Sequence, residues 1–319
     1  MVAQLRKKER GVALLAVLLG IALMTLVVMD FAMTSGLGFV SAANQANEMR
    51  AGYLARSGIN VGLGLLAADA RTKAQAQQGQ TPVESLSDAW ATPFPPIPLE
   101  GGTVTLSIVD EARKINLNSM VQNNVPQPVA IQRMQRLFTV LDVNVQLVQG
   151  IVDWITPNTG AGPGGTGDYY MGLKPPYEPR YGPMPTIADL QMVEGFNEAV
   201  FNRVRPFLTV MPEPGVNANT ASPQVLAALE PQLMEDEKLV QEIVEARTIK
   251  PFTNTTDIMN LPDLGETLSQ ALSKDNIVVR STFFTINGTG TFAGARKIIT
   301  ATFHREANGI GTMAAWHED

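Results

Sequence analysis

Cysteine is absent from the 319 residues, and histidine occurs only at His304 and His317. The first absence excludes disulfides, thiolate metal sites and thiol nucleophiles. The second excludes a three-histidine metal centre and leaves acid–base chemistry mostly to carboxylates. Charge is also sparse: Asp, Glu, Lys and Arg make up 17% of the chain against 45% apolar residues, a balance that excludes an intrinsically disordered protein. The net charge of -6 argues against nucleic acid as a partner, because phosphate neutralisation needs a surplus of Lys and Arg. There is no Walker A sequence, no G-x-S-x-G elbow and no H-E-x-x-H motif. Gly160 to Gly165 formally fits G-x-G-x-x-G, but the run contains Pro163 and reads as a flexible loop. No enzyme active site is assembled by these residues, and the length suggests two domains.

What is present begins at the N-terminus. Arg6, Lys7, Lys8 and Arg10 stand against the single acid Glu9, and then Gly11 to Met29 run without charge up to Asp30. Nineteen residues of helix span roughly 28 Å, close to the hydrocarbon thickness of a bilayer. The positive-inside rule places the basic block in the cytoplasm and the bulk of the chain outside. Apolar residues then recur at helical spacing through Phe39, Ala43, Ala46, Met49, Tyr53, Leu54, Ile59, Leu63 and Leu66. This predicts a membrane helix that runs on as an amphipathic one. Part of its stripe should cover a sheet, and the membrane-proximal half should face other subunits.

A basic leader, then Gly11 followed by Val12-Ala13-Leu14-Leu15-Ala16, resembles the leader of type IV pilins and type II secretion pseudopilins. The resemblance implies that prepilin peptidase cuts after Gly11 and methylates Val12. Most of that family carry a Glu at the fifth mature position, where this chain has Ala16. That departure, the Tyr53-Leu54-Ala55-Arg56-Ser57-Gly58 stretch, Lys114-Ile115-Asn116-Leu117-Asn118, Asp153-Trp154-Ile155, Asp168-Tyr169-Tyr170 and Pro175-Pro176-Tyr177-Glu178-Pro179-Arg180 are similar to the K-type minor pseudopilins of the type II secretion system, the general secretion pathway protein K family. The likeness covers nearly the whole chain. It implies an inner-membrane, single-pass, mostly periplasmic protein. Its partners would be the I-type and J-type minor pseudopilins, other pseudopilins, the inner-membrane platform and prepilin peptidase. Its role would be at the pseudopilus tip, nucleating the filament and supporting export of folded proteins. A minor pilin of a type IV pilus is the alternative, since it shares the leader.

The expected fold is α+β: a pilin-like long N-terminal helix packed on an antiparallel β-sheet, with a large α-helical insert containing helix-hairpin-helix-like units. The expected parts are a leader (1–11), a transmembrane helix (12–30), amphipathic helix, loop and first strand (31–118), insert (119–274) and C-terminal strands (275–319). Residues 72–100 read as a Pro-rich loop. Val104, Leu106 and Ile108 alternate with polar residues as in a half-buried strand. Asn287-Gly288, between two β-branched and aromatic runs, predicts a type I′ hairpin turn. Between the strands, Pro128, Asn144, Ser222-Pro223 and the acidic start of EDEKLVQEIVEAR open helices. Thr186 to Phe196 and Thr255 to Leu264 form a weak internal repeat of capped short helices, and Asn217 to Ala221 read as an associated turn.

The resemblance also raises Ca²⁺ as a cofactor of the insert. Asp153, Asn158 and Asp168, with Thr156 and Thr159, are the oxygen donors nearby, although relatives carry more acids where this chain has Thr156-Pro157-Asn158. His304 and His317 read as surface residues, His317 in a tail.

Overall fold

The computed structural model describes residues 2–76, 83–99, 101–156, 167–262, 264, 265, 268, 272, 277–306 and 311–319, giving the backbone alone at 2–11, 167 and 168. No proline occurs before Pro82, and the chain begins with one helix, α1, from Val2 to Ala76. From Val12 through Asn44 its side chains are exposed. The hydroxyl of Thr25 donates to Ile21 O at 2.8 Å, so the apolar stretch carries no unsatisfied polar side chain there.

Downstream, in chain order, come the strands β1 (Ile97–Leu99), β2 (Gly102–Asp110), β3 (Ile115–Asn116), β4 (Val121–Gln122) and β5 (Val125–Pro126), then the helices α2 (Pro128–Val140), α3 (Leu147–Ile155), α4 (Gly167–Met171) and α5 (Glu198–Val204). They are followed by β6 (Leu208–Thr209), β7 (Val216–Asn217), α6 (Pro223–Leu229), α7 (Pro231–Glu235), α8 (Glu237–Ile249), α9 (Thr255–Met259), β8 (Ile277–Val278), β9 (Phe283–Phe292), β10 (Ala295–His304) and β11 (Thr312–Glu318). The main sheet is antiparallel in the order β1-β2-β9-β10-β11.

The second half of α1 lies across this sheet. Ala51, Leu54, Ala55, Ile59, Leu66 and Ala70 are buried there, whereas Met49 and Tyr53 of the expected stripe point to solvent. A small core of Ala55, Ile59, Leu66, Trp90, Leu106, Ile108, Phe284, Ile286, Ile299, Ala301 and Phe303 fills the layer between helix and sheet. The helix approaches closely because glycines face it. A Cβ on Gly288 would lie 2.4 Å from Ala55 O, and one on Gly290 would lie 2.0 Å from Ala51 O.

That contact corrects the hairpin expectation. Asn287-Gly288 lies mid-strand in β9, and the chain reverses at Ala293-Gly294, whose φ angles of 45° and 85° suit a type I′ turn. The glycine after Asn287 serves helix packing, not chain reversal. Two further expectations change. Within 72–100, α1 continues to Ala76, a 3-10 turn at Ala89–Ala91 buries Trp90, and β1 pairs with β2. His317 lies in the exposed edge strand β11, not in a tail.

Between Asp110 and Phe283 the chain builds a second, larger core, in which Met134, Leu137, Phe138, Ile151, Leu226 and Ile243 are fully buried. Ile115, Leu117 and Ile277 belong to this core, and β8 pairs with β7, while the main sheet resumes at Phe283. Helix starts follow local chemistry: Pro128 and Pro223 sit in the first turns of α2 and α6, Ser222 caps α6 and Asp236 caps α8. The two repeat segments both start with a capping box, Thr186 with Asp189 and Asn254 with Asp257, and each has a later left-handed glycine, Gly195 at 83° and Gly265 at 67°. The first is a 3-10 helix, the second α9.

Candidate assembly interface

The register of helix on sheet sets a direction. Gly290 lies against Ala51, Gly288 against Ala55, and Ile286 against Gly62. The other end of the sheet, at Asp110, Phe283 and His304, therefore lies toward the C-terminal end of α1. The insert leaves and re-enters the sheet at that end, farthest along α1 from the apolar segment.

An ion-pair cluster ties this end together. Lys73 Nζ reaches Asp69 at 3.0 Å, Glu84 at 2.9 Å and Asp88 at 2.7 Å, and Arg305 pairs with Asp69 at 3.1 Å and with Glu84. Trp90 Nε1 donates to Glu84 Oε2 at 3.0 Å, and the Arg305 guanidinium sits 4.5 Å above the Phe284 ring. Asp69, Glu84 and Asp88 bring their oxygens within 4.8 Å of one another, which is metal-ligand spacing, but the ammonium of Lys73 already contacts all three. Removing one partner from such a buried network costs several kcal/mol, about 3–5 in comparable cases.

A second node joins sheet to insert. Asp110, at the end of β2, accepts hydrogen bonds from Thr220 Oγ1 at 2.5 Å and Ala112 N at 2.7 Å. Asn217 Nδ2 donates to Ser281 Oγ at 2.9 Å and reaches Glu84 O at 3.2 Å. Burial pushes the Asp110 carboxyl above its usual range, against the pull of Thr220, Ser281 and Ala112. Glu213 clasps the entry to β9, accepting from Phe283 N at 2.6 Å, Thr282 N at 2.9 Å and Thr282 Oγ1 at 2.9 Å. Burial pushes its carboxyl up to about 7 despite those donors. The Asn217 to Ala221 turn is thus a buried brace: Asn219 exchanges two hydrogen bonds with Phe252, and Arg247 donates to Ala218 O and Ala221 O at 2.7 Å each.

The residues singled out from the sequence fall as follows. Gly11, Val12 and Ala16 lie in the continuous helix α1, with Val12 and Ala16 exposed. Asp153 is half-buried near the end of α3, where its Oδ1 accepts from Gln149 Nε2 at 2.8 Å. Asn158 and the glycine run at 160–165 lie outside the described residues, and Asp168 is described by its backbone in α4 alone. Of the three proposed donors, only the Asp153 side chain lies within the described residues. The motif aromatics do converge: Trp154 meets Tyr170 at 5.2 Å and Tyr177 at 6.2 Å between ring centroids, and Tyr170 Oη accepts from Glu194 N. The ion-pair cluster, the Asp110 node and Glu213 escaped sequence reasoning. Glu84 and Arg305 are 221 residues apart, and no spacing pattern links them.

Among the described residues, one helix is long and apolar enough to cross a membrane, Val12–Gln75, with a best 18-residue window of mean hydropathy 2.9, none of it buried. A single apolar anchor continuing into a helix packed on an antiparallel sheet defines a pilin-like α+β protein. Sequence models described as type II secretion system, protein K match residues 113–213 and 216–280, together just over half of the chain. The chain belongs to the type II secretion system protein K family of pseudopilins. A type II secretion system protein K of Pseudomonas aeruginosa is 28% identical over 97% of this chain and 93% of its own length. One from Klebsiella pneumoniae is 23% identical, covering 96% and 95%. Among solved structures, a chain of the GspK-GspI-GspJ complex from the enterotoxigenic Escherichia coli type 2 secretion system matches with a TM-score of 0.71 at 17% identity, covering 88% of this chain and 99% of that one.

Proposed function

We propose that this protein is the minor pseudopilin at the tip of the type II secretion pseudopilus. There it assembles with I-type and J-type partners, nucleates the filament and supports export of folded proteins. The observation that carries the reading is the insert crowning the end of the sheet farthest from the apolar segment. A subunit stacked above would have to displace it. Ala16 supports the same position. In pilin fibres the fifth-position Glu pairs with a neighbour's terminal ammonium, and a buried charge lacking its partner costs several kcal/mol. A subunit with Ala there supplies no such anion, so it leads rather than follows. The similar solved structure, named as a complex with GspI and GspJ, supports those two partner types. On this reading the basic leader stays cytoplasmic, the inner membrane holds Val12 onward, and prepilin peptidase releases a methylated Val12.

The chain has no cysteine, so introduced thiols crosslink without background. Cysteine at Leu23, on the exposed apolar helix, is expected to crosslink to I-type and J-type subunits in secreting cells. Cysteine at Ile249, which is 87% exposed on the insert, should crosslink to no pseudopilin. A pseudopilin captured at Ile249 would contradict the tip position. Mass spectrometry should find N-methylated Val12 as the first residue, and a chain retaining Met1 would contradict the processing.

The resemblance extends to Ca²⁺ in the insert, with Asp153, Asn158 and Asp168 as its donors. Calorimetric titration of the full chain in detergent should show heat that Asp153→Ala removes. No heat at millimolar calcium would end that part of the reading.

A further inference from the structure

A cavity of about 600 Å³ opens between the start of α2 and the 212–216 segment, with Asn118, Ser119 and Gln122 on its wall. Arg133 of α2 lines it and is only 9% exposed. Its Nε and Nη2 are buried with no hydrogen-bond partner. Burial pulls this guanidinium down to about 10, Glu230 pulls it back, and Arg136 adds to the burial effect. Two guanidinium nitrogens buried without acceptors carry a desolvation cost, which the nearby Glu230 charge offsets only in part.

The other groups on the cavity wall do not supply the missing acceptors. Lys114, on the same wall, is paired with Glu111 at 2.6 Å. Glu213 also lines the cavity, but its oxygens accept from Thr282 and Phe283. Asn116 and Asn118 spend their amides on Met211 O and Met184 O. A second feature of the same wall favours negative charge. The thirteen-residue α2 begins with Pro128, has no side-chain cap, and presents Val129 and Ala130 to the cavity. Gln127, at the cap position, donates instead to Val125 O. The uncapped amides and the helix dipole attract an anion.

We propose that this cavity binds an oxyanion, a carboxylate or phosphate group, held by the Arg133 guanidinium and the Val129 and Ala130 amides in the first turn of α2. Arginine's planar fork matches both groups. The anion comes either from a free small molecule or from an acidic side chain or terminus of a polypeptide.

Full-length protein in detergent would be titrated calorimetrically with inorganic phosphate, with acetate, and with a short peptide carrying a free C-terminal carboxylate beside its amide. At least one probe is expected to bind saturably, with affinity reduced at least about tenfold by Arg133→Gln. Gln122→Trp, a change at an exposed wall residue that fills the cavity and spares the guanidinium, should weaken binding likewise. Phosphate or acetate binding assigns a free anion, and binding of the free-carboxylate peptide alone assigns a polypeptide. No saturable binding of any probe, or binding unaltered by either variant, overturns the site. Without probe, Arg133→Gln should melt no lower than the parent, since it removes a buried charge whose Nε and Nη2 have no acceptor.

Discussion

At Gly290 and Gly288 the missing Cβ decides how closely a helix can lie on a sheet. Any side chain at Gly290 would press into the backbone of α1 at Ala51 and Ala55, and backbone cannot swing aside. Gly290→Ala is expected to lower stability by about 1–3 kcal/mol, the usual cost of overpacking, seen as a reduced melting temperature. Gly64 is the control: it is helical and exposed, with nothing within 4 Å of a Cβ, so Gly64→Ala should raise stability by up to about 1 kcal/mol. These positions also show why local reading misplaced the turn. Asn287-Gly288 carries a turn signature whichever surface packs on it, and only the arrival of α1 makes glycine necessary there. Ala293-Gly294 makes the turn without an Asn-Gly pair.

Short helices in the insert depend on their caps. The Asp257 side chain accepts from Thr253 N at 2.7 Å, Thr253 Oγ1 at 2.8 Å and Asn254 N at 3.2 Å, while Asn254 caps in return. Desolvation pushes the Asp257 carboxyl up, but these hydrogen bonds outweigh it and hold the group below its usual value. Asp257→Ala should cost about 1 kcal/mol of stability at neutral pH. A depressed acid contributes above its unfolded value of 3.8 and loses that contribution as pH falls through the folded value. The parent and Asp257→Ala melting curves should therefore converge in strong acid. Capping boxes are readable in sequence because all partners lie within a few residues. So were the starts of α2, α6 and α8 and the alternation in β2. The β1 strand and the course of β11 were not, since edge strands as short or as exposed as these carry little pattern of their own.

At the scale of the molecule, two cores meet at two acids, the buried Asp110 and the half-buried Glu213. Glu213 and Asp110 both have carboxyls raised by burial, and both join sheet to insert. Between about 4.5, the ordinary Glu value, and about 7, the folded chain holds a proton on Glu213 that the unfolded chain releases. Stability therefore falls as pH rises through that window, and Asp110 acts in the same direction. Melting temperatures of the full chain should drop across the window, and Glu213→Gln should flatten the slope even if it lowers stability overall. A slope unchanged in that variant would show that Glu213 is not its source. The sequence by itself determined the long apolar N-terminal helix, the strands that alternate and the helices that cap themselves, because composition, periodicity and neighbours within a few residues suffice for each. Tertiary structure alone decided where β9 turns, which acids pair with Lys73 and Arg305, and that Arg133 faces a cavity. Those outcomes depend on burial and on partners from distant parts of the chain, such as Arg305 with Glu84, and no local pattern encodes them.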